Sequence, residues 1–441
     1  MKGKRWVIGL MTCFLMFLTG CLSVGSENFY ALPQRSEKYR DLQAAVERAM
    51  GSGVYAAPVS GSNRQAIQQA DLDGDGREEA LVFCRIGTEH PLKVLILKRT
   101  EEDYRLVCTI EGDGSAFDSV QYAQIDGAPG QELLLSRRIS DQVQQSLTVY
   151  KLKDNAPVEL MSSSYSAYTL VDMDSDNCTD VFLLGTNPEG PVGFADLYRC
   201  RDGVMQKDVE ANLSTPAESV KRMITGCVSS GVPAVFVASA YDENSLITDV
   251  FTLRNNIFAN ISQNAESGQS SQTVRNYFVY STDIDNDGVI EMPNTVPLTE
   301  LPEDEASQGQ YRITWYNLGV DGKRTDKMST YHNYAEGWFF YLPEDWCSSL
   351  AVTREDIADG KSGVCFCSVS ADGTRSNLLT VASFTGQDAE KQISAAGFFV
   401  ITIRGDAFFA GKLARFSTLT KDDVIARFKQ ISPDLLPETN G

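Results

Sequence analysis

Three stretches of this chain carry one pattern: Asp71-Leu-Asp73-Gly-Asp75-Gly-Arg77-Glu-Glu79, Asp172-Met-Asp174-Ser-Asp176-Asn-Cys178-Thr-Asp180 and Asp283-Ile-Asp285-Asn-Asp287-Gly-Val289-Ile-Glu291. Each sets acidic side chains at relative positions 1, 3, 5 and 9. Alternate side chains of a tight loop converge on one point, and a hard cation such as calcium takes roughly six to eight oxygen ligands. The pattern marks up to three calcium sites, with the carbonyls of Arg77, Cys178 and Val289 at position 7 joining the carboxylates. Plain acidic turns would use the same residue types, since Asp, Asn and Gly favour turns for backbone reasons. Three copies in one register argue for the ion. Gly76 and Gly288 are expected at positive φ, with Asn177 in the equivalent place.

These loops are not EF-hands, which need a bidentate Glu at position 12 and flanking helices. Position 12 is Val82, Leu183 and Asn294. Position 9 instead opens short apolar runs in the first two copies, Ala80-Leu-Val-Phe83 and Val181-Phe-Leu-Leu184, which read as buried strands. The loop therefore joins two strands. Two degenerate copies fill the gaps: Gln124-Ile-Asp126-Gly-Ala128-Pro-Gly130-Gln-Glu132 and Gly226-Cys-Val-Ser-Ser230-Gly231-Val-Pro-Ala234. They are expected to keep the turn and lose the ion. Loop starts at 71, 124, 172, 226 and 283 differ by 53, 48, 54 and 57 residues. A period near fifty with about four strands per unit points to propeller blades rather than a helical solenoid. In the third unit the strands would be Ala167–Val171, Asp180–Leu184, Phe194–Cys200 and Val204–Asp208.

The Asp-x-Asp-x-Asp-Gly cores and the acid at position 9 resemble the FG-GAP (VCBS-type) repeat, the calcium-loop blade of integrin alpha-subunit propellers and of many bacterial surface proteins. The resemblance covers residues 55–330 and implies a β-propeller of about five blades, six or seven if weak units have merged. It says little about function, because such propellers serve as scaffolds, adhesion modules and lectins.

The N-terminus combines Lys2, Lys4 and Arg5 with a thirteen-residue apolar stretch from Trp6 to Leu18 and then Leu18-Thr19-Gly20-Cys21. The stretch is short for a membrane span and fits a signal peptide. Its end resembles the lipobox of bacterial lipoproteins, in which cleavage precedes the Cys and its thiol carries diacylglycerol. An ordinary secretory signal that happens to contain Cys21 is the alternative. The resemblance implies residues 1–20 as signal peptide and a lipid-modified Cys21. The chain from 21 to 54 would then be a tether plus a helix over Ser36–Met50, on the extracytoplasmic face of the cell membrane. Removing the three basic residues takes the net charge from −20 to −23. That argues against nucleic acid as a partner, since phosphate binding needs Lys and Arg.

Eight cysteines remain after Cys13 and Cys21. Disulfides are allowed outside the cytoplasm, and the candidate pairs are Cys84 with Cys108, Cys178 with Cys200, and Cys347 with Cys365 or Cys367. Free buried thiols are the alternative.

From about residue 331 the character changes. Tyr334–Leu342, Cys365–Val369, Leu378–Phe384, Gly397–Ile403 and Phe408–Ala414 read as strands, Glu390–Ala396 as a short helix, and Thr420-Lys-Asp-Asp423 as a capping box opening a helix through Ile431. Residues 331–441 thus read as a small α+β domain. Tyr334-Ala-Glu-Gly-Trp-Phe-Phe-Tyr-Leu-Pro343-Glu-Asp-Trp346 with the last helix resembles the PsbP/Mog1-like sandwich of some bacterial lipoproteins; an unrelated α+β cap fits the same residues.

No catalytic motif emerges. The chain has two histidines, His90 and His332, and His332 reads as a linker residue at the domain junction. No nucleophile elbow, Ser-x-x-Lys or phosphate loop is present. The expected function is a non-catalytic surface lipoprotein whose calcium-stabilised propeller binds a glycan, a peptide or an envelope protein. A structural or assembly factor of a membrane complex is the second reading, and a hydrolase with a blade-top site the third.

Overall fold

The computed structural model describes residues 37–432 and 435, except 102, 140–144, 277–278, 359–360 and 416. The signal peptide, Cys21 and the tether lie outside the described residues. No described helix is long and apolar enough to cross a membrane.

Among the described residues the chain is mainly β, arranged in six antiparallel sheets with three α-helices. Helix α1 (Glu37–Met50) leads. The first sheet holds β1 (Val54–Tyr55), β2 (Ile67–Ala70), β3 (Glu79–Arg85), β4 (Leu92–Arg99) and β5 (Tyr104–Gly112). The second holds β6 (Ala116–Ala123), β7 (Glu132–Arg138), β8 (Gln145–Lys153) and β9 (Ala156–Tyr165). The third holds β10 (Ala167–Val171), β11 (Asp180–Gly185), β12 (Phe194–Arg201), β13 (Val204–Lys207) and β14 (Ala211–Asn212). The fourth holds β15 (Val220–Val228), β16 (Val232–Ala240), β17 (Ser245–Arg254), β18 (Ile257–Asn260) and β19 (Arg275–Asn276). In each of these four sheets, four strands follow one another as a meander, each pairing with its neighbour in sequence, while the short β1, β14 and β19 add to β3, β12 and β17. The four strands expected in the third unit correspond to β10–β13.

Period-2 alternation sorts each unit's buried strand between its two neighbours. On β3, Ala80, Val82 and Cys84 face α1, while Leu81 and Phe83 face the second sheet. On β7, Leu133 and Leu135 turn to the first sheet and Leu134 to the third. On β11, Val181 and Leu183 join the second sheet, Phe182 and Leu184 the fourth. On β16, Val235 and Val237 return to the third sheet, whereas Ala234 and Phe236 meet Met292, Tyr316 and Leu318 of the fifth. The sheets therefore stack face to face in chain order. Both faces of the first sheet are used, one by the second sheet and one by α1 through Leu42, Ala45 and Val46.

The fifth sheet is β20 (Met292–Pro297), β21 (Tyr311–Leu318), β22 (Arg324–Asn333) and β23 (Trp338–Leu342), closed by β29 (Phe428–Gln430) from the end of the chain. The sixth holds β24 (Leu350–Ala358), β25 (Lys361–Val369), β26 (Arg375–Thr385), β27 (Phe399–Arg404) and β28 (Ala407–Leu413). Helices α2 (Ala389–Ala395) and α3 (Lys421–Arg427) complete the C-terminal part. An aromatic core of Tyr331, Trp338, Phe340, Trp346 and Phe366 joins the fifth and sixth sheets.

Several expectations need correcting. The boundary drawn at residues 330 and 331 falls inside β22, because β23 and β29 extend the fifth sheet. The strand expected from Tyr334 begins at Trp338, after a turn in which Gly337 takes φ +72°. The capping box at Thr420 and Asp423 forms as expected, but α3 ends at Arg427. There Phe428 leaves the helix to stack on Trp338, ring centroids 5.4 Å apart, and to pair with Phe340. All eight described cysteines are free; β4 separates Cys84 from Cys108 in the sheet. His332 is no linker residue: it lies buried on β22, stacked on Phe339 at 5.0 Å.

Candidate metal loops

In units one to three the loop runs between the first two strands of the meander, and in unit five it connects Thr282, which bridges Glu291, to β20. The backbone curls around the acid at position 1. Asp71 accepts hydrogen bonds from the amides of Gly74 and Gly76, at 2.8 and 3.0 Å. Asp172 accepts from Asp176 and Asn177, and Asp283 from Asp287 and Gly288. The acid at position 5 caps the amide two residues on: Asp75 that of Arg77, Asp176 that of Cys178, Asp287 that of Val289. The acid at position 9 reaches back to the amide at position 2, Glu79 to Leu72, Asp180 to Met173 and Glu291 to Ile284. These repeated bonds require left-handed backbone at position 6, where Gly76, Asn177 and Gly288 have φ of +81°, +66° and +89°. Position 4 is left-handed too; at Gly74 a Cβ would lie 2.4 Å from Pro129 of the neighbouring loop.

The result is three carboxylate clusters: Asp71, Asp73 and Glu79; Asp172, Asp174 and Asp180; Asp283, Asp285 and Glu291. Within each, ligand oxygens lie within 4.8 Å of one another. The position-5 acids Asp75, Asp176 and Asp287 stand beside these clusters as amide caps rather than in them. Burial raises the acid at position 9 above the usual carboxylate range, to about 7 for Glu79 and for Asp180. One buried oxygen, Asp73 Oδ1, has no hydrogen-bond partner. An all-carboxylate donor set with an orphaned buried oxygen fits a hard cation.

Sequence reasoning missed a basic partner of each loop that keeps its acids. Lys98 on β4 donates to Asp73 and lies 3.7 Å from Glu79. Arg199 on β12 donates to Asp174 at 3.0 Å, and also to Asp208 and Asn256. Lys327 contacts Asp285, Asp287 and Glu291 at 2.8, 2.5 and 2.9 Å. The degenerate second loop keeps Asp126 and Glu132, and there Lys151 on β8 pairs with Asp126. The signal was legible as spacing: Lys98, Lys151 and Arg199 each lie 27 residues after their loop start. The ladder explains it. One step beyond the pairs Ala80–Leu97, Leu133–Tyr150 and Val181–Tyr198, the basic residue stands opposite the acid at position 9. In the fourth unit, where the acids are lost, that spacing holds Leu253, and the loop shrinks to a tight turn at Ser229–Gly231.

A polar cavity of about 430 Å³ opens beside the first loop, lined by Arg77, Glu78, Arg99, Thr100, Glu101 and Tyr104. A second, of about 300 Å³, includes Arg254, Asn260, Gln263, Asn264, Gln272 and Asp321 in its lining.

No known family profile matches the chain, and no curated protein does. Among solved structures, it is similar to rhamnogalacturonan lyase YesW at 13% identity and TM-score 0.31, over 69% of this chain and 66% of that one. It is similar to exotype rhamnogalacturonan lyase YesX at 12% and 0.26, over 72% and 61%. Sqt1 from Chaetomium thermophilum gives 11% and 0.29, over 70% and 74%. The chain thus spans less than two thirds of either lyase, and likenesses this loose carry no argument about activity.

Proposed function

We propose that this protein is a non-catalytic, lipid-anchored interaction module of the extracytoplasmic face. Its first five sheets are FG-GAP-type propeller blades, each of three of them pinned by calcium. The observation that carries the reading is the set of three carboxylate clusters, built by the same backbone hydrogen bonds at the same place in three sheets. Helix α1 takes the place against the first blade that the last blade takes in a closed ring. A bound ion neutralises carboxylates that otherwise repel one another and fixes the start of each buried strand. The cavity beside the first loop, with its two arginines, two glutamates, Thr100 and Tyr104, suits a hydroxyl-rich or charged ligand held by hydrogen bonds, such as a glycan or a peptide.

The test is thermal unfolding of residues 22–441 in calcium and in chelator, beside an Asp73/Asp174/Asp285→Ala variant. The native chain is expected to lose several degrees on chelation and the variant none; a native chain indifferent to calcium overturns the metal reading. For the anchor, Cys21→Ala is expected to move the full-length protein from the membrane fraction to the soluble one and to abolish palmitate labelling.

A further inference from the structure

We infer that Lys98 and Lys327 are built-in competitors of the metal, standing in the loops as counter-ions that calcium must displace. The inference rests on the calcium reading above and concerns what these two side chains do to it. An ammonium within hydrogen-bond reach of the oxygens that would ligate the ion shares their lone pairs, and two cations cannot use the same lone pairs at once. Lys327 touches all three of Asp285, Asp287 and Glu291, so it spans two members of the metal cluster and the position-5 acid. Lys98 lies against Asp73 and within 3.7 Å of Glu79.

Comparison of the five units within the chain supports design rather than accident. A basic residue faces the position-9 acid in units one, two and three, and the unit without acids has none at that spacing. In the fifth unit the ladder puts Asn317, not a base, opposite Glu291. The cation is supplied from the adjoining strand instead. The register of β21 and β22 passes from Trp315–Met328 to Tyr316–Asp326, which leaves Lys327 as the extra residue of a β-bulge. Bulges re-aim a side chain, and this one delivers the charge to the loop by another route. The same charge arrives from two different strands, so the constant feature is the cation in the loop.

The third unit differs. Arg199 is held by Asp208 and Asn256 and contacts only Asp174 of its cluster. It hydrogen-bonds neither Asp172 nor Asp180, and its charge acts on Asp180 only through space. The Asp172 loop is therefore the tight site and the other two are weak ones, filled only when calcium is abundant. The second unit, with Asp126 paired to Lys151 and Ala128 at position 5, is the limiting case in which lysine is the permanent occupant.

Calorimetric titration of residues 22–441 with calcium tests this, comparing the native chain with Lys98→Met, Lys327→Met and the milder Lys327→Gln. The native chain is expected to show one tight and two weak sites. Each substitution tightens one weak site roughly tenfold, since breaking an ion pair no longer opposes binding. Thermal unfolding supplies the second reading. The Lys327 variants should melt below the native chain in chelator and at or above it in saturating calcium. Calcium binding that is equal or weaker in the variants, or variants that melt low in both conditions, overturns the competition while leaving the metal sites standing. Absence of binding in every chain overturns the calcium reading itself.

Discussion

Lys151 shows at the residue scale what a strand-borne cation is worth beside a buried loop carboxylate. Its partner Asp126 is almost wholly buried, and removing one member of a buried pair leaves an uncompensated charge. Lys151→Met is expected to lower unfolding free energy by about 3 kcal/mol, with no recovery in calcium, as measured by urea titration. His332 gives a pH signature of its own. Trp315 Nε1 donates to the Thr330 hydroxyl, which lies 3.0 Å from His332 Nε2 and can hand it its own proton, so the ring sits neutral. Burial pushes its pKa down to about 3, below the value near 6.5 of an unfolded histidine. The unfolded chain thus takes up a proton that the folded one refuses, and this share of stability, complete above pH 6.5, drains away as pH falls toward 3. At pH 4 the loss is about 3 kcal/mol. His332→Phe should remove that part of the acid sensitivity when the two chains are compared by denaturant unfolding at pH 7 and pH 4.

At the scale of elements, α1 matters more than its length implies. It is the cover of the first sheet's outer face, and Val46 sits fully buried there among Ala80, Val82 and Leu97. Val46→Asp would place an unpaired charge in that layer and is expected to destabilise by at least about 3 kcal/mol, read as a lower urea midpoint. The smaller effect of Thr420→Ala, about 1 kcal/mol, follows from losing the capping box of α3. These elements were legible in sequence because periodicity and caps are local: α1, α2 and the start of α3 lie where the pattern puts them. The end of α3 was not legible, since nothing near Phe428 announces that Trp338 and Phe340, far earlier in the chain, will draw it into a strand. The three acidic clusters were legible for the opposite reason, being written in contiguous side chains. Their basic partners were hidden because a lysine near a strand end reads as a solvated charge until the ladder sets it opposite an acid. The candidate pair Cys84 and Cys108 failed on the same ground, as spacing within a unit says nothing about β4, the strand that comes between the two thiols.

For the whole molecule, the fifth sheet is the joint. Its β22 crosses the expected domain boundary, and its last strand comes from the chain's end. A chain ending at residue 330 would lose β23 and β29 and bare the face of the fifth sheet on which Trp315 and Ile313 pack against Phe339 and Ile431. Such a chain, 22–330, is expected to aggregate and to lack a cooperative thermal transition, whereas 22–441 melts cooperatively, both followed by circular dichroism. The stacking order has one more consequence. A closed circle of blades fixes its own membership, because every added wedge changes the angle left for the rest. A row that begins with α1 on the outer face of its first sheet imposes no such sum. Adding or removing whole units of about fifty residues would change its length and leave α1 in its place against the first sheet.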